Sequence, residues 1–324
     1  MRGPSVTVLL LCHRDARFIR DALASAFAQT VPCEIIVSND CSGDGTFEIA
    51  REIVAQYRGP HRATVRCNER NVGVAAHVNA TVPLASGEII MMMAGDDIAH
   101  PHRVATTLDA FARNRQAMIV GSDFDCIDEE GRETPMPFRP RPRQFGLEEF
   151  VRAGRLIGLL GATIAFRREV FDRFGPIAGP IEDNALSLRG ALLGDCLQLP
   201  DKLIRYRQHA GSVSAGVFAR NEAPEVAMRR RYERTIRFYR GTADDLAQCA
   251  AQLPGMSEER QRLVRDILAM YRIEADAREA LLERPRLQWV GPIWRGLMQR
   301  GARRKSAERA LKLLVPRRMI GLRG

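Results

Sequence analysis

From Val6 to Ser122, strand-sized apolar runs alternate with amphipathic helical stretches, and this alternation leaves few folds open. Val6 to Cys12, Cys33 to Ser38, Ala63 to Asn68, Glu88 to Gly95 and Ala117 to Ser122 read as strands. Between them, Arg17 to Gln29, Phe47 to Tyr57, Val74 to Ala80 and the stretch from Pro101 to about Asn114 read as helices. Strands and helices in this order predict an α/β fold with a mostly parallel sheet and crossover helices. Further on, four prolines between Pro135 and Pro142 enforce a loop, and Leu147 to Ala153 is helical. Leu156 to Phe166 is apolar and punctuated by glycine, which predicts a surface where a substrate approaches the backbone closely. A helix from Asn184 to Leu193 stops at Gly194, and Leu197 to Arg207 completes the sheet region.

From about Arg220 the character changes to long helices with little strand signal. Residues 1–219 are therefore expected to form one catalytic α/β domain and 220–324 a helical extension. Charge follows a related division. The net charge is +10, yet residues 284–324 alone carry twelve Lys/Arg against one acid, Glu308, so the body of the chain is close to neutral. No apolar run approaches the length that spans a bilayer, and the amino-terminal residues lead straight into a strand, with no signal peptide expected. Seven cysteines are scattered and never form a CxxC pair, which speaks against a structural zinc and a disulfide framework. A reducing cytoplasm is the expected location.

Acids gather where strands end. Asp96 and Asp97 follow the Met-rich run directly, with Gly95 allowing the turn. In open α/β sheets ligands bind at the carboxyl ends of strands, and a pair of carboxylates there suits Mg²⁺ or Mn²⁺. The plainer alternative is a solvated acidic turn before the next helix. Asp40 and Asp44 lie in a turn-rich loop, Asn39 to Thr46, that opens a helix. An acid there accepts hydrogen bonds from a nucleobase or ribose, or else satisfies backbone N–H groups at the helix start. Glu182-Asp183 forms a third acidic pair at a helix start, again open to a capping role. Arg207 is suited to a diphosphate, and His209 to a metal or an anion.

In their order along the chain these blocks resemble the family 2 glycosyltransferases of the GT-A fold, over about residues 4 to 215. The matching elements are Val6–Cys12, the Asn39–Thr46 loop, Asn71-Val72-Gly73, Gly95-Asp96-Asp97 and Glu182-Asp183, then Arg189, Gly194 and Tyr206-Arg207-Gln208-His209. The resemblance implies a nucleotide-diphospho-sugar donor held by Asp40, Asp44, Arg70, Asn71, Asp96 and Arg207. It implies a divalent metal, Mg²⁺ or Mn²⁺, at Asp96, Asp97 and His209, and Asp183 as the general base of an inverting transfer. Ala94 stands where many relatives carry another acid, which leaves open whether Asp96 or Asp97 ligates metal directly. The Gln-x-x-Arg-Trp signature of processive synthases is absent, so transfer of one sugar to a glycan or lipid-linked acceptor is expected, in cell-surface polysaccharide synthesis.

Both tryptophans, Trp289 and Trp294, lie in the basic tail among Leu287, Val290, Ile293, Leu297 and Met298, with Leu311, Leu313, Leu314 and Val315 further on. Aromatic anchors beside a polybasic stretch suit the inner face of an anionic membrane. The alternative is a helical pair packed on the catalytic domain with a solvated basic face. Two rival functions fit less well. A nucleotidyltransferase would carry a Gly-rich phosphate loop, whereas Cys12 to Arg20 has no glycine. Nucleic-acid binding would suit the tail's charge, but no nucleic-acid-binding signature accompanies it.

Overall fold

The computed structural model describes residues 5–135, 141–212 and 224–313. Its centre is a ten-stranded sheet. In chain order the strands are β1 (Val6–Cys12), β2 (Glu34–Asn39), β3 (Arg62–Cys67), β4 (Ile89–Ala94), β5 (Ile98–Ala99), β6 (Ala117–Ile127), β7 (Glu133–Thr134), β8 (Gln144–Phe145), β9 (Ala165–Arg167) and β10 (Asp195–Arg207). They run β3-β2-β1-β4-β9-β6-β10-β5 across the sheet, with β7 on β6 and β8 on β10. Strands β3, β2, β1 and β4 are mutually parallel, as are β6 and β10, whereas β9 pairs antiparallel with both β4 and β6. The expected mostly parallel α/β sheet is thus present.

Strand alternation divides the interior into two layers. Successive side chains on a strand point to opposite faces. Val8 and Leu10 of β1 and Met91 and Met93 of β4 therefore pack on one face, with Ile19 and Leu23 of α1 (Ile19–Phe27), Ala50 of α2 (Thr46–Gln56) and Phe111 of α4 (Arg103–Arg113). Leu9, Ile90 and Met92 face the other way, toward Val78 of α3 (Val74–Thr81), Phe150 of α5 (Leu147–Ala153), Phe171 of α6 (Glu169–Phe174) and Leu186 of α7 (Glu182–Leu193).

The second layer continues without a break into the helical extension. Ile236, Tyr239 and Leu246 of α8 (Pro224–Ala251) and Ile267, Met270 and Tyr271 of α9 (Glu258–Glu283) belong to the same cluster as Leu186 and Leu188. Helix α7 is buried along nearly its whole length because the sheet covers one side and α8 another. A buried ion pair secures this contact: Arg189 Nε and Nη2 donate to Asp245 at 2.9 and 2.6 Å, and the guanidinium also reaches the carbonyls of Gly175 and Pro176. The boundary expected near residue 220 falls in residues 213–223, outside the described part.

Two further helices, α10 (Val290–Met298) and α11 (Arg303–Leu313), close the extension. Trp289 is 1% exposed, packed with Ala280, Leu281 and Ile293, and its indole N–H donates to the Arg284 carbonyl at 2.9 Å. Trp294 is 60% exposed. Leu314 and Val315 lie outside the described residues, as do 136–140 of the proline-rich loop. Among the described residues, no helix is long and apolar enough to cross a membrane.

Most elements stand within a residue or two of where the pattern puts them. The differences come from short strands. Strand β6 runs on to Ile127, five residues beyond the expected end at Ser122, because β10 pairs with it along that length. Strand β9 arises inside the segment read as a glycine-punctuated surface; three residues are too few to show alternation, and only the neighbouring β4 and β6 make it a strand.

Candidate active site

The carboxyl ends of β1, β2 and β4 open onto one cavity of about 250 Å³. Leu11, Met92 and Met93 line its apolar part, and His13, Asp15, Asp40, Asn71, His77, Asp96, Glu182 and His209 bring the chemistry. Open parallel sheets place ligands at this edge because strand ends there are followed by loops rather than by core.

Three groups converge at the end of β4. Asp15, Asp96 and His209 each present a ligand atom within 4.8 Å of the others. His209 Nε2 lies 3.0 Å from Asp96 Oδ2, and its Nδ1 accepts the Gly211 N–H at 3.2 Å, which assigns the proton to Nε2. The ring is further fixed by Phe18, at 4.8 Å between centroids. Asp15 is brought in by Gly95: a Cβ there would come within 2.6 Å of Asp15 Oδ2 and 2.5 Å of Cys12 Cβ. Burial, with Asp96 beside it, pushes the Asp15 carboxyl up to about 7. Two close carboxylates and an imidazole are a donor set that fits a divalent cation of the Mn²⁺ type.

Asp97 does not join this cluster. It is fully buried, its Oδ1 accepts the backbone N–H of Arg207 at 2.8 Å, and its Oδ2 has no hydrogen-bond partner. Burial, with Asp96 adjacent, raises its carboxyl well above the ordinary value. In this geometry Asp15, and not Asp97, stands beside Asp96 and His209, because the turn after β4 leaves Asp96 at the cavity and carries Asp97 into the protein.

Arg207 also sits differently from the expected diphosphate contact. Its side chain is 2% exposed, Nε donates to the Asp96 carbonyl at 2.8 Å, and Nη1 donates to the carbonyls of Asp128 and Glu129. Nη2 reaches Asp21, and the guanidinium lies over the Phe18 ring at 4.7 Å. With its nitrogens committed to protein oxygens, Arg207 holds the Asp96 turn in place instead of facing the cavity.

On the β2 side, Asp40 is 3% exposed and organises the loop beside it. Its carboxylate accepts Asn68 Nδ2 at 2.7 Å and the N–H groups of Val72 and Gly73 at 3.0 and 2.9 Å. Burial alone would raise its carboxyl, but these hydrogen bonds outweigh it and hold it below the ordinary value. His13 bridges the same loops, with Nδ1 2.9 Å from the Asp40 carbonyl and Nε2 3.0 Å from Asn71 Nδ2. Asp44 pins Thr46 and the Ala16 N–H, so it shapes the loop that joins β1 and β2 to the cavity. Arg70 is exposed beside Asn71.

The third acidic pair forms a wall. Glu182 lines the cavity, and a Cβ on Gly161 would lie 2.5 Å from its Oε1 and 3.7 Å from Asp183 Cβ, so a glycine is what lets this wall close. Burial and the neighbouring Asp183 push Glu182 up to about 8. Asp183 is half-buried at the first turn of α7, and its Oδ1 accepts the backbone N–H and side-chain amide of Asn184 at 2.6 and 2.8 Å. Burial raises its carboxyl against those bonds, while Arg141 and Arg234 attract its charge.

Sequence reasoning missed Asp15, His13 and His77 as cavity residues, and of the Glu182-Asp183 pair it gave a role to Asp183 alone, whereas Glu182 is the one that lines the cavity. Asp15 carried a usable signal, being the first acid after the end of β1. His77 did not: it lies on α3, with Nε2 2.6 Å from Ser38 Oγ, and burial lowers its imidazole to about 4.

Comparison with known proteins agrees with this architecture. EpsE of Bacillus subtilis (strain 168), named as a glycosyltransferase, is 29% identical over 130 residues, covering 40% of this chain and 46% of EpsE. The chain spans about half the length of such relatives. Among solved structures, Staphylococcus aureus TarS 1-349 in complex with UDP-GlcNAc superposes with a TM-score of 0.59 at 17% identity, covering 89% of this chain and 79% of that one. The mannosyltransferase PcManGT from Pyrobaculum calidifontis, in complex with GDP-Man and Mn²⁺, gives 0.55 at 16% identity, covering 97% and 86%. These likenesses identify the GT-A fold. The model of the family described as "Glycosyl transferase family 2" matches residues 7–175, and the chain belongs to that family.

Proposed function

We propose that this protein transfers one sugar from a nucleotide-diphospho-sugar to a hydroxyl of a glycan or lipid-linked acceptor, with inversion at the anomeric carbon. The observation that carries the reading is the convergence of the Asp40 loop, the Asp15–Asp96–His209 group and Glu182 around one cavity, with Asp183 the next residue behind Glu182. The nucleotide-sugars bound by the two structural neighbours, UDP-GlcNAc and GDP-Man, fit the same ligand class.

The nucleoside would lie along the Asp40 loop, with Arg70 and Asn71 at its edge. Asp15, Asp96 and His209 would hold Mn²⁺ or Mg²⁺, which when bound neutralises the charge of a diphosphate. The acceptor oxygen attacks sugar C1 as the bond from C1 to the diphosphate oxygen breaks and its electron pair leaves with the nucleoside diphosphate. Asp183 takes the acceptor's proton. Its Oδ1 is committed to Asn184, so Oδ2 is the accepting atom, and its raised affinity for protons suits a base. Attack from the face opposite the leaving group inverts the centre.

The extension supports a peripheral location on the inner face of the membrane, in keeping with cell-surface polysaccharide synthesis. Leu287, Val290, Trp294 and Met298 are 89, 52, 60 and 60% exposed and recur every three or four residues, beside a basic tail. Such a stripe suits insertion among lipid headgroups.

A thermal-shift screen of UDP, GDP and their sugars, with and without Mn²⁺, tests the donor reading. A stabilisation that requires Mn²⁺ and disappears in Asp96→Ala supports it. Absence of any nucleotide effect on the folded protein would overturn it. Product anomeric configuration, read by NMR, tests inversion.

A further inference from the structure

The helical extension holds a second cavity, of about 400 Å³, between α8, α9 and α11. Arg231, Tyr232 and Thr235 of α8 line it, together with Arg278 of α9 and Lys305 and Arg309 of α11. Beneath it Glu274, fully buried, accepts Arg309 Nη1 and Nη2 at 2.7 and 2.9 Å, Arg278 Nη1 at 2.7 Å and Lys305 Nζ at 3.4 Å. One carboxylate thus answers three cations, and the cluster keeps positive charge after pairing. Arg231 adds to it from the rim. The acid on that rim, Glu308, is engaged by Arg304 at 3.3 Å.

Crowded, partly desolvated cations are costly unless an anion joins them. Their effect is visible in Lys305, whose ammonium is lowered by burial, and by Arg278 and Arg309 against the pull of Glu274. Guanidinium forks and an ammonium around an open space match the tetrahedral oxygens of phosphate. We propose that this cavity binds a phosphate-bearing anion, at a site separate from the donor cavity and independent of the donor reading. Lys305 Nζ also meets the Tyr239 hydroxyl at 3.3 Å, and the Tyr239 ring belongs to the apolar cluster against which Leu156 packs. The cavity is therefore tied to the segment that leads to Gly161 and the Glu182-Asp183 wall, where an acceptor carrying a phosphate would be held at two points.

The test is calorimetric titration of the full chain with inorganic pyrophosphate, in EDTA so that no divalent metal assists the donor cavity. Wild type and Asp96→Asn are expected to bind alike, while Arg231→Gln and Lys305→Gln bind about tenfold or more weakly, as the loss of one charge-assisted contact implies. Arg231 is exposed, so Arg231→Gln keeps the fold, and melting of each variant without ligand checks this. No binding by wild type, or undiminished binding by both cavity variants, overturns the proposal. Phosphatidylglycerol vesicles distinguish the source: sedimentation that depends on Arg231 and Lys305 supports a lipid headgroup, and pyrophosphate binding without it supports a soluble or glycan-borne phosphate.

Discussion

His209 Nε2 stands 3.0 Å from Asp96 Oδ2 although the two residues are 113 positions apart, and Asp15 completes the group from the end of β1. Neutral His209 would ligate through Nε2 by moving its proton to Nδ1. Asp15, pushed up to about 7 mainly by burial, must instead ionise, so binding of Mn²⁺ near neutral pH is expected to release protons. Asp15→Asn and His209→Ala should each weaken Mn²⁺ affinity by at least about tenfold, read by calorimetry. Asp97→Asn should change it little, because Asp97 faces the Arg207 backbone. A strong effect of Asp97→Asn with none from Asp15→Asn would move the site back to the adjacent pair.

Asp183→Asn is expected to lower kcat by about 10²- to 10⁴-fold, the usual worth of a positioned base. Donor affinity should stay near that of the wild type, since Asp183 does not face the nucleotide loop. Near-normal turnover in this variant would remove Asp183 from the mechanism.

Glu182 sets a pH dependence of stability. Its carboxyl ionises near 4.5 when unfolded and at about 8 when folded. Between these values the folded chain keeps a proton that the unfolded chain has released, so stability falls as pH rises through that window and levels off above it. Glu182→Gln should flatten the decline in melting temperature between about pH 5 and about pH 8. An unchanged slope would mean that Glu182 is not the group responsible.

Trp289 and Trp294 should separate by phenotype. Trp289→Ala, in a buried site, should cost about 3–5 kcal/mol of stability in urea unfolding. Trp294→Ala, at 60% exposure, should leave unfolding unaffected while weakening binding to anionic vesicles by about tenfold or more. Equal vesicle binding by Trp294→Ala and wild type would argue against the lipid-facing stripe.

Arg189→Met should destabilise the chain by about 3–5 kcal/mol, because it strands Asp245 as a buried charge. The double variant Arg189→Met/Asp245→Leu should recover part of that loss. Urea midpoints of the single and double variants measure the coupling directly.

The fold was legible where elements are long enough to show a continuous apolar run or a helical period. Strand Val6–Cys12 and helix Leu147–Ala153 stand where the pattern puts them. Strands β5, β7, β8 and β9 were not legible, since two or three residues show no period and exist only through their neighbours. At the site, the acidic pairs announced themselves as clusters at element ends. Their division of labour did not: Asp96 and Asp97 are adjacent and chemically alike, yet one meets His209 and the other is buried against the Arg207 backbone. Arg207 read as a phosphate ligand because its charge is visible in sequence and its partners, three of them backbone carbonyls, are not.

The sequence by itself determined the order of strands and helices, the family and the places where carboxylates gather, because periodicity and motif spacing are local properties of the chain. The tertiary structure alone decided which acids meet. Asp15, Asp96 and His209 come together because β1, β4 and the end of β10 lie in one sheet, and Gly95 carries no side chain to hold Asp15 away. The same long-range packing gathered Arg278, Lys305 and Arg309 around Glu274, with Arg231 on the cavity rim. Their cationic count could be read from the sequence; the cavity they enclose depends on three helices crossing.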